Sequence, residues 1–566
     1  MTGTRVTCED ITYIYEGEDL PAVKHISFVI PAGQWTAVIG ASGSGKSTLC
    51  QLLNGLLPRS GGGSREGTLL LDEMDPAEAA LAEVTQAAGV LFQDPNAQLV
   101  QGIIEDEVAF GPENMCVQPA EIERRIVNSL EAVGLISRRR DHVRRLSGGQ
   151  RQRTAIAAVL ALQPRLFVFD DACASLDAAA QADFLQLCRV LQGEGRTVIT
   201  ASGRFDDAAR AAQRVIVMDG GTVVLDGPPE ALLRRCGEQL AELGLLPPQR
   251  GEAGAWPGAA AESSALAGPP APAKRPAASD RSAHTEALVP SEALAPAEPS
   301  TPGNPSVLAE PPAQTASPAA HAVLTAQDFA VISPSSTLLE VKSLDFTYPG
   351  GRQALRDVHF SLRSGEWALL TGVNGSGKTT LSRLLMGLLP APKGCITWQG
   401  EDTAGVPVYR MAEKIGYVFQ QPEHTFTAPT VWEELTYSLH GGLPQARRPE
   451  LTADEKRRAD DLLRTAGLHH KNDVSPYLLS GGEKRLLSVI SQLIVPKELY
   501  ILDEPTSGMD YAGIARLITL CRSTCNQGAA LLMITHDPEL VETEADTLLK
   551  LQDGKMMSVL LAPELL

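Results

Sequence analysis

The sequence feature that most constrains the fold is a glycine-rich loop at residues 40–48, which reads Gly-Ala-Ser-Gly-Ser-Gly-Lys-Ser-Thr. An apolar run at residues 35–39 precedes it and a helical pattern at residues 49–56 follows it, so the loop joins a predicted strand to a predicted helix. Glycines at such a turn let successive backbone N–H groups point inward around a phosphate, while Lys46 adds a positive charge and Ser47 a hydroxyl. The sequence therefore predicts a site for a nucleoside triphosphate with magnesium. Its predicted contacts are Gly40, Ser42, Gly43, Ser44, Gly45, Lys46, Ser47 and Thr48.

The same series of motifs occurs twice along the chain. A second glycine-rich loop lies at residues 372–380, and three further features repeat at offsets of 327 to 333 residues. Offsets this constant indicate a duplicated domain. The repeated positions are Gln93 and Gln420 in a polar turn, Ser147 and Ser480 at the start of a helix, and Asp170 and Asp503 at the end of a buried strand. The predicted contacts of the second loop are Gly372, Asn374, Gly375, Ser376, Gly377, Lys378, Thr379 and Thr380.

An aromatic residue also recurs upstream of each loop, at Tyr15 and Tyr348. Two interpretations stay open for this pair. Each ring could stack on an adenine base, or each could pack in the core of its domain.

The segment at residues 247–335 differs from the rest in composition, because it holds sixteen of the chain's 39 prolines and lacks apolar periodicity. A segment with so little apolar surface is expected to be disordered. The sequence therefore predicts a first domain at 1–246, a flexible linker at 247–335 and a second domain at 336–566.

Composition narrows the function further. A formal net charge of −19 argues against nucleic acid as a partner, because neutralising phosphates needs surplus Lys and Arg. Nine scattered cysteines without a CxxC pair fit a reducing compartment. No run of 18 apolar residues occurs, so work at a membrane would be done from its side.

Together, these motifs resemble the ATP-binding cassette (ABC) ATPases, and the resemblance covers both halves but not the linker. It implies an α/β fold of two tandem P-loop domains, each with a mixed sheet, a RecA-like core and a helical subdomain that carries a signature motif. It also implies ATP and Mg²⁺ as ligands. The implied signature residues are Ser147, Gly148, Gly149 and Gln150 in the first half and Ser480, Gly481, Gly482 and Glu483 in the second. The implied magnesium residues are Ser47, Asp170 and Gln93 in the first half and Thr379, Asp503 and Gln420 in the second.

The resemblance implies that the two domains pair head to tail, so that each ATP lies between one phosphate loop and the opposite signature. The site at the second loop has the full catalytic set by this analogy: Glu504, His536, Gln420 and Lys378. The site at the first loop departs at three points. Asp171 is one methylene shorter than the family's glutamate, the stretch at residues 198–204 has no histidine, and the facing signature ends in Glu483. Ala201, Ser202 or Gly203 could align with His536. We therefore predict one efficient site and one that binds ATP but turns over slowly, with Asp171 as a weak base at most.

The stretches at residues 92–98 and 105–114 are similar to the ATPases of energy-coupling-factor (ECF) transporters, which import vitamins, cobalt or nickel. The resemblance implies an ATP-driven translocase subunit on the cytoplasmic face of the membrane. Its implied partners are an integral membrane coupling subunit and a substrate-binding membrane subunit.

Two alternatives remain at the level of the sequence. One is a soluble tandem ABC protein that acts on ribosomes or nucleic acid, although the proline-rich linker and the lack of a heptad run disfavour it. The other is a non-catalytic scaffold, which the complete second set of residues disfavours. The transported solute is not predicted.

Overall fold

The computed structural model describes residues 3–173, 176–247, 336–422, 425–440, 448–536 and 544–561. The predicted linker lies outside the described residues, apart from its first residue, Pro247. The described residues of the two halves belong to one compact unit.

The first half combines a central sheet with a smaller antiparallel one. Its strands are β1 (Val6–Ile14), β2 (Val23–Ile30), β3 (Trp35–Ile39), β4 (Ser64–Leu71), β5 (Ala88–Leu91), β6 (Leu166–Asp170), β7 (Thr197–Ser202), β8 (Arg214–Asp219) and β9 (Thr222–Gly227). The central sheet has the order β5-β6-β7-β3-β8-β9, parallel except for the edge strand β9. The order β2-β1-β4 forms the antiparallel sheet. The helices are α1 (Lys46–Leu53), α2 (Leu81–Ala87), α3 (Pro95–Gln98), α4 (Ile104–Asn114), α5 (Pro119–Ala132), α6 (Gly148–Leu162), α7 (Ala178–Gly193), α8 (Asp207–Ala211) and α9 (Pro229–Glu242).

The second half repeats this plan. Its strands are β10 (Thr337–Thr347), β11 (Gln353–Arg363), β12 (Trp367–Thr371), β13 (Ile396–Trp398), β14 (Glu401–Asp402), β15 (Ile415–Val418), β16 (Leu499–Asp503), β17 (Ala530–Ile534), β18 (Thr547–Gln552) and β19 (Lys555–Leu561). The central order is β15-β16-β17-β12-β18-β19, and the antiparallel order is β11-β10-β13-β14. The helices are α10 (Lys378–Leu385), α11 (Val408–Lys414), α12 (Val431–Thr436), α13 (Ala453–Ala466), α14 (Gly481–Leu493) and α15 (Tyr511–Asn526).

Each central sheet is buried on both faces, which explains why its strands are almost wholly apolar. Side chains alternate between the faces of a strand. On β3, Trp35 and Ile39 therefore pack among residues of α4 to α7, whereas Val38 packs among residues of β1, β2, β4 and α1. On β12, Trp367 and Leu370 divide in the same way between two clusters. Three layers thus hold each half together.

The two strands that precede β3 in the chain, β1 and β2, lie in the antiparallel sheet and not in the central one. Their alternating burial is that of a sheet with one face in the core. The glycine-rich loops follow β3 and β12, and Asp170 and Asp503 end β6 and β16. All four features therefore lie at the carboxyl edge of a parallel sheet, where ligands bind in such folds.

No helix among the described residues is long and apolar enough to cross a membrane.

Candidate active site

The first glycine-rich loop closes around its own lysine. Lys46 Nζ donates to Gly40 O at 2.6 Å and to Ala41 O at 2.9 Å, and the backbone turns into α1 through Gly45 at φ 93°. A Cβ atom at Gly40 would lie 2.3 Å from Met218 O, so no larger residue fits there. Gly43, at φ 80°, faces open space. The loop therefore curls back on itself and leaves the space beside Gly43 open, and its binding of a phosphate stays a prediction.

The second loop has the same geometry. Lys378 Nζ donates to Gly372 O at 2.6 Å, and a Cβ atom at Gly372 would lie 2.1 Å from Leu551 O. Ser376 Oγ is buried and has no hydrogen-bond partner within the described part of the chain. Burial lowers the pKa of Lys378, while nearby Glu504, Asp503 and Asp177 oppose that shift. An orphaned hydroxyl and a buried ammonium are what a bound phosphate would satisfy.

The two upstream tyrosines are fastened to these loops. Tyr15 Oη lies 3.0 Å from Thr48 Oγ1, and Tyr348 Oη lies 3.1 Å from Thr380 Oγ1. Both rings are half-buried, and Tyr15 lines the cavity described below. Adenine stacking by these rings stays a prediction.

Each loop lies against the other half of the chain. Ser42 N donates to Asp510 Oδ2 at 2.8 Å, and Asn374 N donates to Asp177 Oδ2 at 3.1 Å. A Cβ atom at Gly482 would lie 2.9 Å from Ser42 Oγ. The first loop therefore faces the second signature, which is the head-to-tail arrangement that the resemblance implies.

A cavity of about 910 Å³ lies where the first loop meets the second signature. That volume is in the range of sites that enclose a small-molecule ligand. Residues from both halves of the chain form the wall of this cavity. From the first half the wall includes Tyr15, Ser42, Lys46, Ser47, Gln93, Asp170, Asp171 and Gly203, and from the second Lys471, Ser480, Gly481, Gly482 and Glu483.

Both signature motifs begin a helix with a capping box. Ser147 caps α6, with Gln150 completing the box, and Ser480 caps α14, with Glu483 completing it. The free N–H groups and positive dipole end of such a helix attract an anion. Gln93 and Gln420 lie against the opposite signatures, since a Cβ atom at Gly481 would be 2.7 Å from Gln93 Nε2 and one at Gly148 would be 3.4 Å from Gln420 Nε2.

The second half brings a carboxylate and an imidazole together. His536 Nδ1 lies 2.7 Å from Glu504 Oε2, and the two side chains are only 7% and 8% exposed. Glu504 has a left-handed backbone at φ 54°, which is held because its N–H donates to Ile534 O at 2.9 Å. The geometry presents an oriented carboxylate beside Asp503 at the end of β16.

The first half has the same backbone but different side chains. Asp171 also has φ 54°, and its N–H donates to Ala201 O at 2.9 Å. Its carboxylate accepts from Gln93 Nε2 at 3.1 Å. Asp170 pairs with Ala201 across the sheet as Asp503 pairs with Ile534, so two residues further on Gly203 occupies the position of His536. The register thus decides among the three candidates that the sequence left open.

The comparisons with known proteins place this geometry in a family. A family model described as ABC transporter matches residues 23–174 and 355–507, which is more than half of the chain. The chain belongs to the ABC transporter family. It is an ATP-binding protein of that family, and its two cassettes make it an ATP-hydrolysing enzyme.

Relatives match almost the whole chain. A putative ABC transporter ATP-binding protein of Methanosarcina acetivorans is 32% identical over 557 residues, 98% of this chain and 85% of that protein. A putative HMP/thiamine import ATP-binding protein of Bacillus subtilis is 32% identical over 553 residues, 97% of this chain and 90% of that protein. One solved structure in the comparison is CbiO1 from Clostridium perfringens, which is described as part of the ABC transporter complex CbiONQ. It is 31% identical to this chain, with a TM-score of 0.38, and the match covers 43% of this chain and 95% of that chain.

The strand ends of both ABC cassettes fit a magnesium ion. Asp170 and Asp503 are buried, and burial raises the pKa of each carboxyl to about 6. Ser47 donates a hydrogen bond to Asp170, whereas Tyr417 donates to Asp503 at 3.4 Å. Carboxylate, hydroxyl and amide oxygens are the ligands that Mg²⁺ prefers, and a nearby cation would keep both carboxyls ionised.

The structure adds site residues that the sequence analysis missed. Asp177 and Asp510 each join the two cassettes, and their 333-residue offset was a signal that could have found them. Arg485 donates to Gln420 O and to Glu504 O, at 3.0 Å each. No repeat signal marks Arg485, because the first half has Gln152 at that position.

Proposed function

We propose that this chain is the energy-coupling ATPase of an ECF-type importer. The observation that carries the proposal is the similarity to the HMP/thiamine import ATP-binding protein, which extends over 97% of this chain and 90% of that relative. The motif around Gln93, which resembles the ECF ATPases, supports the same assignment. HMP and thiamine are therefore the first solutes to test.

In the proposed mechanism, ATP bound between the cassettes is hydrolysed mainly at the second loop. Glu504 orients and deprotonates the attacking water, and His536 holds the carboxylate through its contact at 2.7 Å. Lys378 and the N-terminus of α6 stabilise the phosphate charge. Mg²⁺, which would be held by Thr379, Asp503 and Gln420 or by Ser47, Asp170 and Gln93, supplies further neutralisation of the phosphates.

At the first loop, three features disfavour turnover. Asp171 is one methylene shorter than a glutamate, Gly203 carries no imidazole, and the Asp171 carboxylate accepts a hydrogen bond from Gln93. This site is proposed to bind ATP and to hold the cassettes together, with slow hydrolysis.

Closing and opening of the cassettes would be transmitted to membrane partners at the cytoplasmic face. The proposed partners are an integral membrane coupling subunit and a substrate-binding membrane subunit, contacted near Gln93 and Gln420. The proposed linker at 247–335 keeps the domains at 1–246 and 336–566 at high effective concentration, which favours their pairing within one chain.

The test is copurification of the full chain from detergent-solubilised membranes. We expect integral membrane proteins to accompany the tagged chain, and we expect the reconstituted complex to take up labelled thiamine or HMP only with ATP. Recovery of ribosomal subunits in place of membrane proteins would support the soluble alternative, which the family's transporter relatives do not favour.

A further inference from the structure

The second signature carries a negative charge at the place where it faces a nucleotide. Glu483 replaces the Gln150 of the first signature at the same capping-box position. Glu483 Oε2 accepts from Ser480 N at 3.0 Å and from Ser480 Oγ at 2.9 Å, so one carboxylate oxygen does the work of the amide oxygen of Gln150. The other carboxylate oxygen of Glu483 stands where Gln150 has its amide nitrogen, which carries no negative charge.

That second oxygen is paired with a lysine. Lys471 Nζ lies 2.7 Å from Glu483 Oε1, and the side chains are 29% and 20% exposed. Burial tends to raise the pKa of Glu483, but the hydrogen bond and charge of Lys471 together with the bonds to Ser480 hold the pKa below its usual value. The carboxylate is therefore ionised at neutral pH, and both members of the pair line the cavity of the first loop.

A lone carboxylate at this helix N-terminus would repel the phosphates of a nucleotide, because like charges in a partly enclosed cavity are weakly screened. The first half serves as a comparison, because its signature has no acidic residue at the corresponding position. Arg138 stands 333 residues before Lys471, but its Nε donates to Asp141 Oδ2 at 2.8 Å, while Gln150 is neutral. The lysine contact thus accompanies the acidic signature and is not a repeated feature of the fold.

We propose that Lys471 is a positioning residue that cancels the charge of Glu483, so that the acidic signature can face a nucleoside triphosphate on the first loop. The inference rests on the proposed binding of ATP at the first site and is independent of the importer assignment. Its content is that Lys471 is needed only because residue 483 is acidic.

A double-mutant cycle on the full chain tests this dependence. The variants are Lys471→Met, Glu483→Gln and the combination, with Arg138→Met as a matched control. The probe is a radiolabelled β,γ-imido analogue of ATP with Mg²⁺, measured by equilibrium binding so that two sites are resolved. We expect Lys471→Met to weaken one of the two sites roughly fivefold, the size typical of losing a partly exposed ion pair. Glu483→Gln alone leaves the charge of Lys471 uncancelled and should tighten the same site severalfold. The double variant, in which both charges are gone, should recover most of the binding lost in Lys471→Met, and Arg138→Met should bind nearly as the unmodified protein does.

If the double variant binds as weakly as Lys471→Met, the lysine acts on the phosphate directly and the inference is overturned. It is overturned equally if Lys471→Met leaves both sites unchanged. Should Lys471→Met fold poorly, Lys471→Met in the Glu483→Gln background and Lys471→Arg carry the test, and weak binding by either contradicts it. Unmodified protein with a single binding site would overturn the proposal for the first site as well, whereas the other outcomes leave that proposal intact.

Discussion

At the scale of single residues, the two nucleotide sites differ in side chains and not in backbone. Asp171 and Glu504 have the same left-handed φ of 54° and the same hydrogen bond from their N–H to the neighbouring strand. What distinguishes them is one methylene group and the partner of the carboxylate, which is Gln93 in one case and His536 in the other. The difference in turnover is therefore expected to be carried by very few atoms.

Replacing the two acids by their amides should separate the sites. Glu504→Gln removes the proposed base and is expected to lower steady-state ATPase activity by about 100-fold or more. Asp171→Asn should change steady-state ATPase activity by less than about twofold, because Asp171 lies at the first loop and most of the hydrolysis is proposed to occur at the second. A malachite-green phosphate assay on the purified chain measures both. Loss of activity in Asp171→Asn with normal activity in Glu504→Gln would mean that the roles are reversed.

The first site should accept the missing groups. A Cβ atom at Gly203 would meet its nearest neighbour, Asp510 N, at 3.8 Å, which is ordinary contact. In a Glu504→Gln background, Asp171→Glu combined with Gly203→His is expected to raise ATPase activity about tenfold above that of Glu504→Gln alone. Asp171→Glu with Gly203→Ala is the control and should restore less. If the two combinations are equally inactive, the side chains at 171 and 203 are not what limits this site.

At the scale of elements, the signature helices α6 and α14 differ in how they hold the turns that follow β6 and β16. Arg485 on α14 joins the backbone of the glutamine turn to the backbone of Glu504. On α6, Gln152 donates instead to Ala172 O at 2.5 Å. The half that carries Glu504 and His536 therefore has a cation that ties two loops to one helix.

Arg485→Gln, which installs the residue of the first half, should loosen this connection. We expect kcat for ATP to fall about tenfold while KM changes little, because the two hydrogen bonds of Arg485 hold the backbone at Gln420 and Glu504 in place. Gln152→Arg is the matched control and should leave kcat near its normal value. A rise in KM without a change in kcat would instead indicate a role in nucleotide binding.

The sequence predicted those elements that depend on local patterns. The strands that precede the loops, the helices that follow Ser147 and Ser480, and the strand ends at Asp170 and Asp503 were found from short apolar runs and glycine positions. The separate antiparallel sheets, the equivalence of Gly203 with His536 and the contact between Lys471 and Glu483 were not. The first two depend on strand register or on pairing between distant segments, and the third is a contact between side chains 12 residues apart. None of them leaves a periodic trace in the sequence.

At the scale of the whole molecule, two aspartates couple the halves. Asp510 Oδ1 accepts from Gly513 N at 2.7 Å and so caps α15, while its Oδ2 accepts from Ser42 N of the other half. Asp177 caps α7 and accepts from Asn374 N in the reciprocal position. Helix starts and cassette contacts are therefore fixed by the same side chains.

An amide at position 510 can satisfy only one of these two donors, since it offers a single acceptor oxygen. Asp510→Asn should keep the helix cap, with a change in Tm of no more than a few degrees. It should weaken the pairing of the halves, so that about threefold more ATP is needed to bring fluorophores on the two cassettes into energy-transfer range. Asp454→Asn, on the exposed first turn of α13, is the control. Unchanged ATP dependence in Asp510→Asn would show that the contact does not contribute to closure.

The composite walls of the cavity have a consequence for fragments of this protein. A cut between the halves would produce two pieces, neither of which contains a whole nucleotide site, although each contains a complete phosphate loop. Two copies of the second piece could then assemble with each other, which would set Glu504 opposite the acidic signature at Ser480–Glu483. That combination does not occur in the intact polypeptide, so the activity of isolated halves would report on an enzyme that the full-length chain never forms.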